Sequence, residues 1–181
     1  MKDRDISKFL SLVLRHKPEV LGIDLDEEGW ANVDLLLQKM QAQGKPLTQE
    51  RLEEVVASND KQRFAFNEKH TQIRASQGHS VPVDLKLQPV PPPEFLYHGT
   101  AEHQVASIQR EGLQRHSRQY VHLSAEVETA SKVGARHGKP FIFLVRSGQM
   151  HQNGVKFYQS ENKVWLTYAV APSYLEAYTG S

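Results

Sequence analysis

A proline-dense segment in the middle of the chain constrains its folding more than any other feature. Between Val81 and Glu94 lie Pro82, Pro89, Pro91, Pro92 and Pro93. Each proline locks its own φ and lacks a backbone N–H, so the stretch resists helix and central strand and suits a stiff connector. It divides the 181 residues into a lobe at 1–80, a linker at 81–94 and a lobe at 95–181. With 39% hydrophobic residues, each lobe has enough apolar side chain for its own core.

In the first lobe, Ile6, Phe9, Leu10, Val13 and Leu14 fall at i, i+3, i+4, i+7 and i+8, the stripe of an amphipathic helix that Pro18 ends. Asn32 is placed to cap a second helix through Val33, Leu36, Leu37 and Met40, with Gly44 and Pro46 as its stop. Thr48 is placed to cap a third that buries Leu52, Val55 and Val56. The pattern then turns to period two at Arg63–Phe66 and returns through Ile73 and Ala75. Three short helices and a hairpin read as a winged helix, a class that often binds nucleic acid, although a fold is weak evidence for a function.

The second lobe reads as mixed and mainly β. Strands are expected at Phe95–Tyr97, Tyr120–Leu123 and Phe141–Val145, and a further pair at Lys156–Tyr158 and Val164–Leu166 across a turn at 160–163. Helices are expected at Val105–Glu111, closed by Gly112, after Ser124, and at Ser173–Tyr178. The fold class is therefore α+β, with mainly antiparallel sheets in the second lobe.

Several function classes are excluded. The chain has no cysteine, so disulfides, thiolate zinc sites and cysteine nucleophiles are ruled out. No Gly-x-Gly pair or His-Glu-x-x-His is present, and the nine histidines are scattered, so no metal site is expected and any dinucleotide would bind outside a Rossmann fold. No run approaches the roughly 20 apolar residues of a membrane span, and the charged start MKDRDISK does not resemble a secretion signal, so the expected location is cytoplasmic. A formal charge of +1 argues against a purely electrostatic nucleic-acid binder.

Two strings carry candidate chemistry. Tyr97-His98-Gly99-Thr100 and His122-Leu123-Ser124 each put a histidine at or near a strand with small polar residues after it. Gly99 would let a ligand approach the backbone closely, and a strand edge offers the donor and acceptor that a carboxamide needs. On spacing alone, a lone strand histidine is more often a packing or surface residue. A basic set comprises Arg15, His16 and Lys17 at the end of the first helix, Arg63 on the hairpin, and Arg110, Arg115, His116 and Arg118 before the His122 strand. Arginine's planar fork grips phosphate, yet cations in a last helical turn also suit the helix dipole with no ligand at all.

Eight ordered strings bear a more specific resemblance: SKFLSLVLRHKP, DEEGWA, KQRFAF, IRASQGHS, FLYHGT, YVHLS, VGARHGKP and NKVWLT. Over essentially its whole length the chain resembles the RNA (tRNA) 2′-phosphotransferases, bacterial members included. The resemblance implies a winged-helix lobe that presents RNA and an ADP-ribosyltransferase-like lobe that holds NAD, with the site between them. By similarity, the catalytic set is Arg15, His16, Arg63 and Arg118. The cofactor set is His98, Gly99, Thr100, His122, Leu123, Ser124, Arg136 and Val164. Val164 stands where related protein-modifying transferases commonly place a glutamate, and Glu161 is read as a turn residue instead.

The reaction implied by the resemblance consumes NAD and requires no metal. A phosphate oxygen of an internal RNA 2′-phosphate attacks the anomeric carbon of the nicotinamide ribose, expelling nicotinamide. The neighbouring ribose hydroxyl then attacks phosphorus, releasing 2′-hydroxyl RNA and ADP-ribose 1″,2″-cyclic phosphate. The expected partners are NAD and a tRNA-like RNA, bound by a monomer. Three other readings stand beside this one: a transferase that leaves ADP-ribose on a phosphorylated nucleic-acid end or protein, a non-catalytic RNA-binding winged helix, and an NAD-sensing DNA-binding regulator. The last is weakened because neither lobe shows a strongly basic recognition helix.

Overall fold

The computed structural model describes residues 1–179, which form two compact units that divide between Lys86 and Leu87. The chain is α+β, with six α-helices and several small antiparallel sheets among the described residues.

The first unit begins with α1 (Asp3–Ser11), which buries Ile6 and Leu10. It runs directly into a π-helical turn at Leu12–His16, where the Lys17 N–H donates to the Leu12 carbonyl, five residues back, at 2.8 Å. Pro18 cannot extend the helix and opens a 3₁₀ turn, Pro18–Val20. After the short β1 (Ala31–Asn32), Asn32 Oδ1 accepts the Leu35 N–H at 2.9 Å and caps α2 (Val33–Ala42). Thr48 Oγ1 accepts the Arg51 N–H at 3.1 Å and caps α3 (Gln49–Ser58). Each cap satisfies an orphan helix donor and stabilises by about 1 kcal/mol.

β2 (Phe64–Phe66) and β3 (Gln72–Ala75) form the expected hairpin, with Phe64 opposite Ala75 and Phe66 opposite Ile73. β1 adds to the other edge of β3, giving the order β1-β3-β2. The helical stripes and the hairpin share one core, in which Leu10, Leu14, Leu36, Met40, Leu52 and Ile73 are fully buried.

The proline-dense segment is anchored at both ends. The Asp84 N–H donates to the Glu27 carbonyl within the first unit. In the second unit the Val90 N–H donates to Phe157 and Ser147 Oγ–H donates to the Pro93 carbonyl, each at 2.8 Å.

The second unit contains β4 (Leu96–Ala101), α4 (Val105–Glu111), β5 (Leu113–Gln114), β6 (Val121–Leu123) and α5 (Val127–Ala135). It continues with β7 (Pro140–Val145), α6 (Ser147–Gln152), β8 (Tyr158–Gln159), β9 (Trp165–Thr167), β10 (Ala169–Val170) and β11 (Leu175–Ala177). Two three-stranded antiparallel sheets, β11-β7-β4 and β6-β9-β8, are joined by a bridge between Tyr97 and Ser124. β5 and β10 make a separate pair. Leu96, Leu123, Val145, Phe157 and Trp165 lie in the core between these elements.

Three details depart from expectation. The segment 173–178 is not helical: a 3₁₀ turn at Pro172–Tyr174 leads into β11, which pairs Leu175, Glu176 and Ala177 with Val145, Leu144 and Phe143. The open edge of β7 supplied hydrogen-bond partners that outweighed local helical preference. α6 had no clear apolar stripe and was not anticipated. β4 is longer than expected because Gly99, Thr100 and Ala101 continue the ladder with β7.

Gly99 serves this packing. A Cβ there would stand 1.6 Å from the carbonyl oxygen of Ala130 in α5, so the helix backbone fills the space a side chain would take. Gly134 makes the reciprocal approach, with a would-be Cβ 2.7 Å from the Thr100 carbonyl oxygen. On its Cβ side Gly99 is thus approached by the backbone of α5.

Candidate functional site

A cavity of about 580 Å³ opens in the second unit, lined by β4, β6, α4 and the loop before β6. Its size suits a small-molecule site. His98, Gly99, Thr100, His122 and Arg118 all line it. The two histidine strings come together because β4 and β6 meet at the Tyr97–Ser124 bridge, with hydrogen bonds of 2.8 and 2.9 Å between their backbones.

Two separate contacts order the polar groups here. His98 Nδ1 lies 3.1 Å from the His122 carbonyl oxygen, an acceptor, so His98 carries its proton on Nδ1. Burial holds its imidazole below the ordinary histidine pKa; the bond to His122 opposes this and the charge of Arg118 adds to it. His98 is therefore neutral near pH 7. Arg118 Nη1 lies 3.2 Å from His122 Nδ1. A guanidinium only donates, so His122 accepts on Nδ1 and carries its proton on Nε2. The two rings thus adopt opposite tautomers on neighbouring strands. Partial burial lowers the pKa of Arg118 from its usual value.

The remaining predicted cofactor residues are placed differently. Leu123 is a core residue of β6, and the Ser124 backbone makes the bridge to Tyr97. Arg136 is exposed at the end of α5. Val164 precedes β9, and its N–H donates to Ser160 Oγ at 3.1 Å. None of these four lines the cavity. Glu161 lies in the turn between β8 and β9, which the Lys163 N–H to Ser160 carbonyl bond closes at 2.9 Å.

In the first unit, Arg15 and His16 sit on the π-helical turn and Arg63 immediately precedes β2. The segment after β3 gathers them. The Ser76 N–H donates to the Arg63 carbonyl at 2.8 Å, and the Ser80 N–H donates to the Arg15 carbonyl at 2.9 Å. Gly78, at φ +88°, passes so close to Arg15 that a Cβ would lie 3.4 Å from its guanidinium carbon. Ser80 Oγ lies 2.9 Å from His16 Nδ1.

Behind them His79 is 1% exposed, and neither ring nitrogen has a hydrogen-bond partner among the described residues. Burial, followed by the charges of Arg15, Arg74 and His16, lowers its pKa to about 4. Arg74 itself stacks on Trp30, with 4.4 Å from guanidinium carbon to ring centroid. The string IRASQGHS contains His79 and Ser80, to which the sequence alone assigns no role. A glycine beside histidine and serine, 64 residues from the basic pair, was the available signal, and spacing alone does not show what folds against it.

Among the described residues, no group of three or more His, Asp or Glu could hold a metal ion, and no helix is long and apolar enough to cross a membrane.

The family described as "RNA 2′-phosphotransferase, Tpt1 / KptA family" matches residues 1–169. The chain belongs to this family. It is accordingly a transferase. A probable RNA 2′-phosphotransferase of Flavobacterium johnsoniae is 57% identical over 173 residues, 96% of this chain and 95% of the relative. Proteins of the same description from Rhodopirellula baltica, at 53% over 170 residues, and Escherichia coli O9:H4, at 51% over 173, cover 93% and 95% of this chain and 92% and 94% of their own lengths.

Proposed function

We propose that this enzyme removes an internal 2′-phosphate from RNA by transferring it to the ADP-ribose part of NAD. The observation that carries the reading is a cavity of about 580 Å³ that brings His98, His122 and Arg118 together, in a chain of this family. On this reading the first unit is a winged helix that takes RNA and the second is an ADP-ribosyltransferase-like lobe.

NAD supplies an anomeric carbon with nicotinamide as its leaving group. The residues fit such a ligand: a neutral His98 adds no cationic charge beside nicotinamide's own, and the opposite tautomers give the site fixed polar character for orienting a ribose and carboxamide. The RNA phosphate, with a second pKa of about 6, is largely dianionic near neutrality and needs no protein base to attack. Arg118 stabilises charge on its oxygens during the second step, in which the adjacent ribose hydroxyl attacks phosphorus and the RNA 2′-oxygen leaves. In the first unit Arg15 and Arg63 are phosphate-gripping residues, and His16 moves a proton.

The test is incubation of the protein with a 2′-phosphorylated oligonucleotide and NAD, with mass analysis of both products. The expected products are 2′-hydroxyl RNA, nicotinamide and ADP-ribose 1″,2″-cyclic phosphate. Dephosphorylation without NAD would refute the reading. ADP-ribose left permanently on the RNA would make the protein a transferase of the related kind.

A further inference from the structure

We infer that Ser80 is a positioning residue, whose hydroxyl sets the orientation of the His16 ring. The inference rests on the proposed role of His16 in proton transfer. The geometry comes from three contacts between segments far apart in sequence. Ser80 Oγ lies 2.9 Å from His16 Nδ1. The Ser80 N–H donates to the Arg15 carbonyl at 2.9 Å and the Val81 N–H approaches the same oxygen at 3.4 Å. One residue is thus tied through its main chain to Arg15 and through its side chain to His16.

The surroundings explain why such a tie is needed. Arg15 and His16 end a π-helical turn, where the i−5 bond of Lys17 replaces the regular i−4 ladder. His16 is exposed, so packing does not fix its ring. A hydrogen bond to one ring nitrogen restricts rotation about the side chain, whichever of the two partners donates, as hydrogen-bonded neighbours do for functional histidines elsewhere. The left-handed Gly78 and the buried His79 hold the strap carrying Ser80 against the turn.

The experiment compares the full chain with Ser80→Ala and Ser80→Thr. ¹⁵N-edited spectra of His16 read the hydrogen bond at Nδ1 through its ring-nitrogen shift, and steady-state kinetics use 2′-phosphorylated RNA and NAD. For Ser80→Ala we expect a displaced Nδ1 signal and a fall in kcat of about tenfold, with KM for both substrates moving by no more than about twofold. Ser80→Thr keeps a hydroxyl and is expected to restore both the wild-type Nδ1 signal and most of the rate. An unchanged His16 spectrum in Ser80→Ala overturns the inference, as does a lost rate that Ser80→Thr does not recover. If the wild-type protein shows no NAD-dependent dephosphorylation, the proposed function fails, and the His16 spectrum alone decides whether Ser80 holds the ring.

Discussion

Acidification will weaken the first unit through His79, and the size of the effect follows from its burial. A histidine in the unfolded chain takes up a proton near pH 6.5, whereas the folded protein resists until about 4. Between those values the unfolded state binds more protons, so stability is full above about 6.5 and drains away as the pH falls toward about 4. Integrating the linkage from pH 7 to 4.5 gives a loss of about 2 kcal/mol, a sizeable share of the roughly 5 to 15 kcal/mol that holds a typical domain together.

The perturbation is His79→Gln, which keeps a polar side chain but removes the titration. Urea unfolding at both pH values, followed through the amide signals of the core residues Leu36 and Ile73, gives the difference for each protein. Because the comparison is between pH values within one protein, any overall destabilisation by the substitution cancels, as do carboxylates common to both. Wild type should lose about 2 kcal/mol more than the variant on acidification. Equal losses, or an NMR titration placing the His79 pKa near its ordinary value, would refute the reasoning.

Three other outcomes are expected. Arg118→Ala removes a charge-assisted contact, and a cost of about 1.5 to 3 kcal/mol felt in the second transition state slows that step about tenfold to a hundredfold. A time course should then show RNA carrying ADP-ribose on its 2′-phosphate building up, and slowed nicotinamide release without this species would contradict the assignment. His98→Ala should raise KM for NAD while leaving RNA affinity unchanged in a direct binding titration; the reverse pattern would show that the cavity does not take the dinucleotide. Gly99→Ala must push α5 off β4, since its Cβ meets the Ala130 carbonyl at 1.6 Å, and should cost about 3 kcal/mol in urea unfolding. A variant as stable as wild type would show that the helix backbone yields easily.

What could be read from the sequence alone was whatever depends on neighbours in the chain. Asn32 and Thr48 cap their helices because a side-chain oxygen reaches an N–H three residues on, whatever the rest of the protein does. The stripe from Ile6 to Leu14 and the period-two run at Arg63–Phe66 located helix and hairpin for the same reason. The eight family strings likewise named the residues of interest before any contact was known.

Tertiary structure decided the rest, because the deciding partners are remote. Residues 175–177 are strand rather than helix since β7 offers an unpaired edge. Gly99 is glycine on account of Ala130, and the tautomers of His98 and His122 follow from which carbonyl and which guanidinium the folded strands bring within hydrogen-bond reach. His79 and Ser80 show the limit most clearly. Nothing in their own neighbourhood marks one as a buried, hard-to-protonate ring and the other as the partner of His16, since both properties arise only when the strap after β3 closes over a turn 64 residues earlier in the chain.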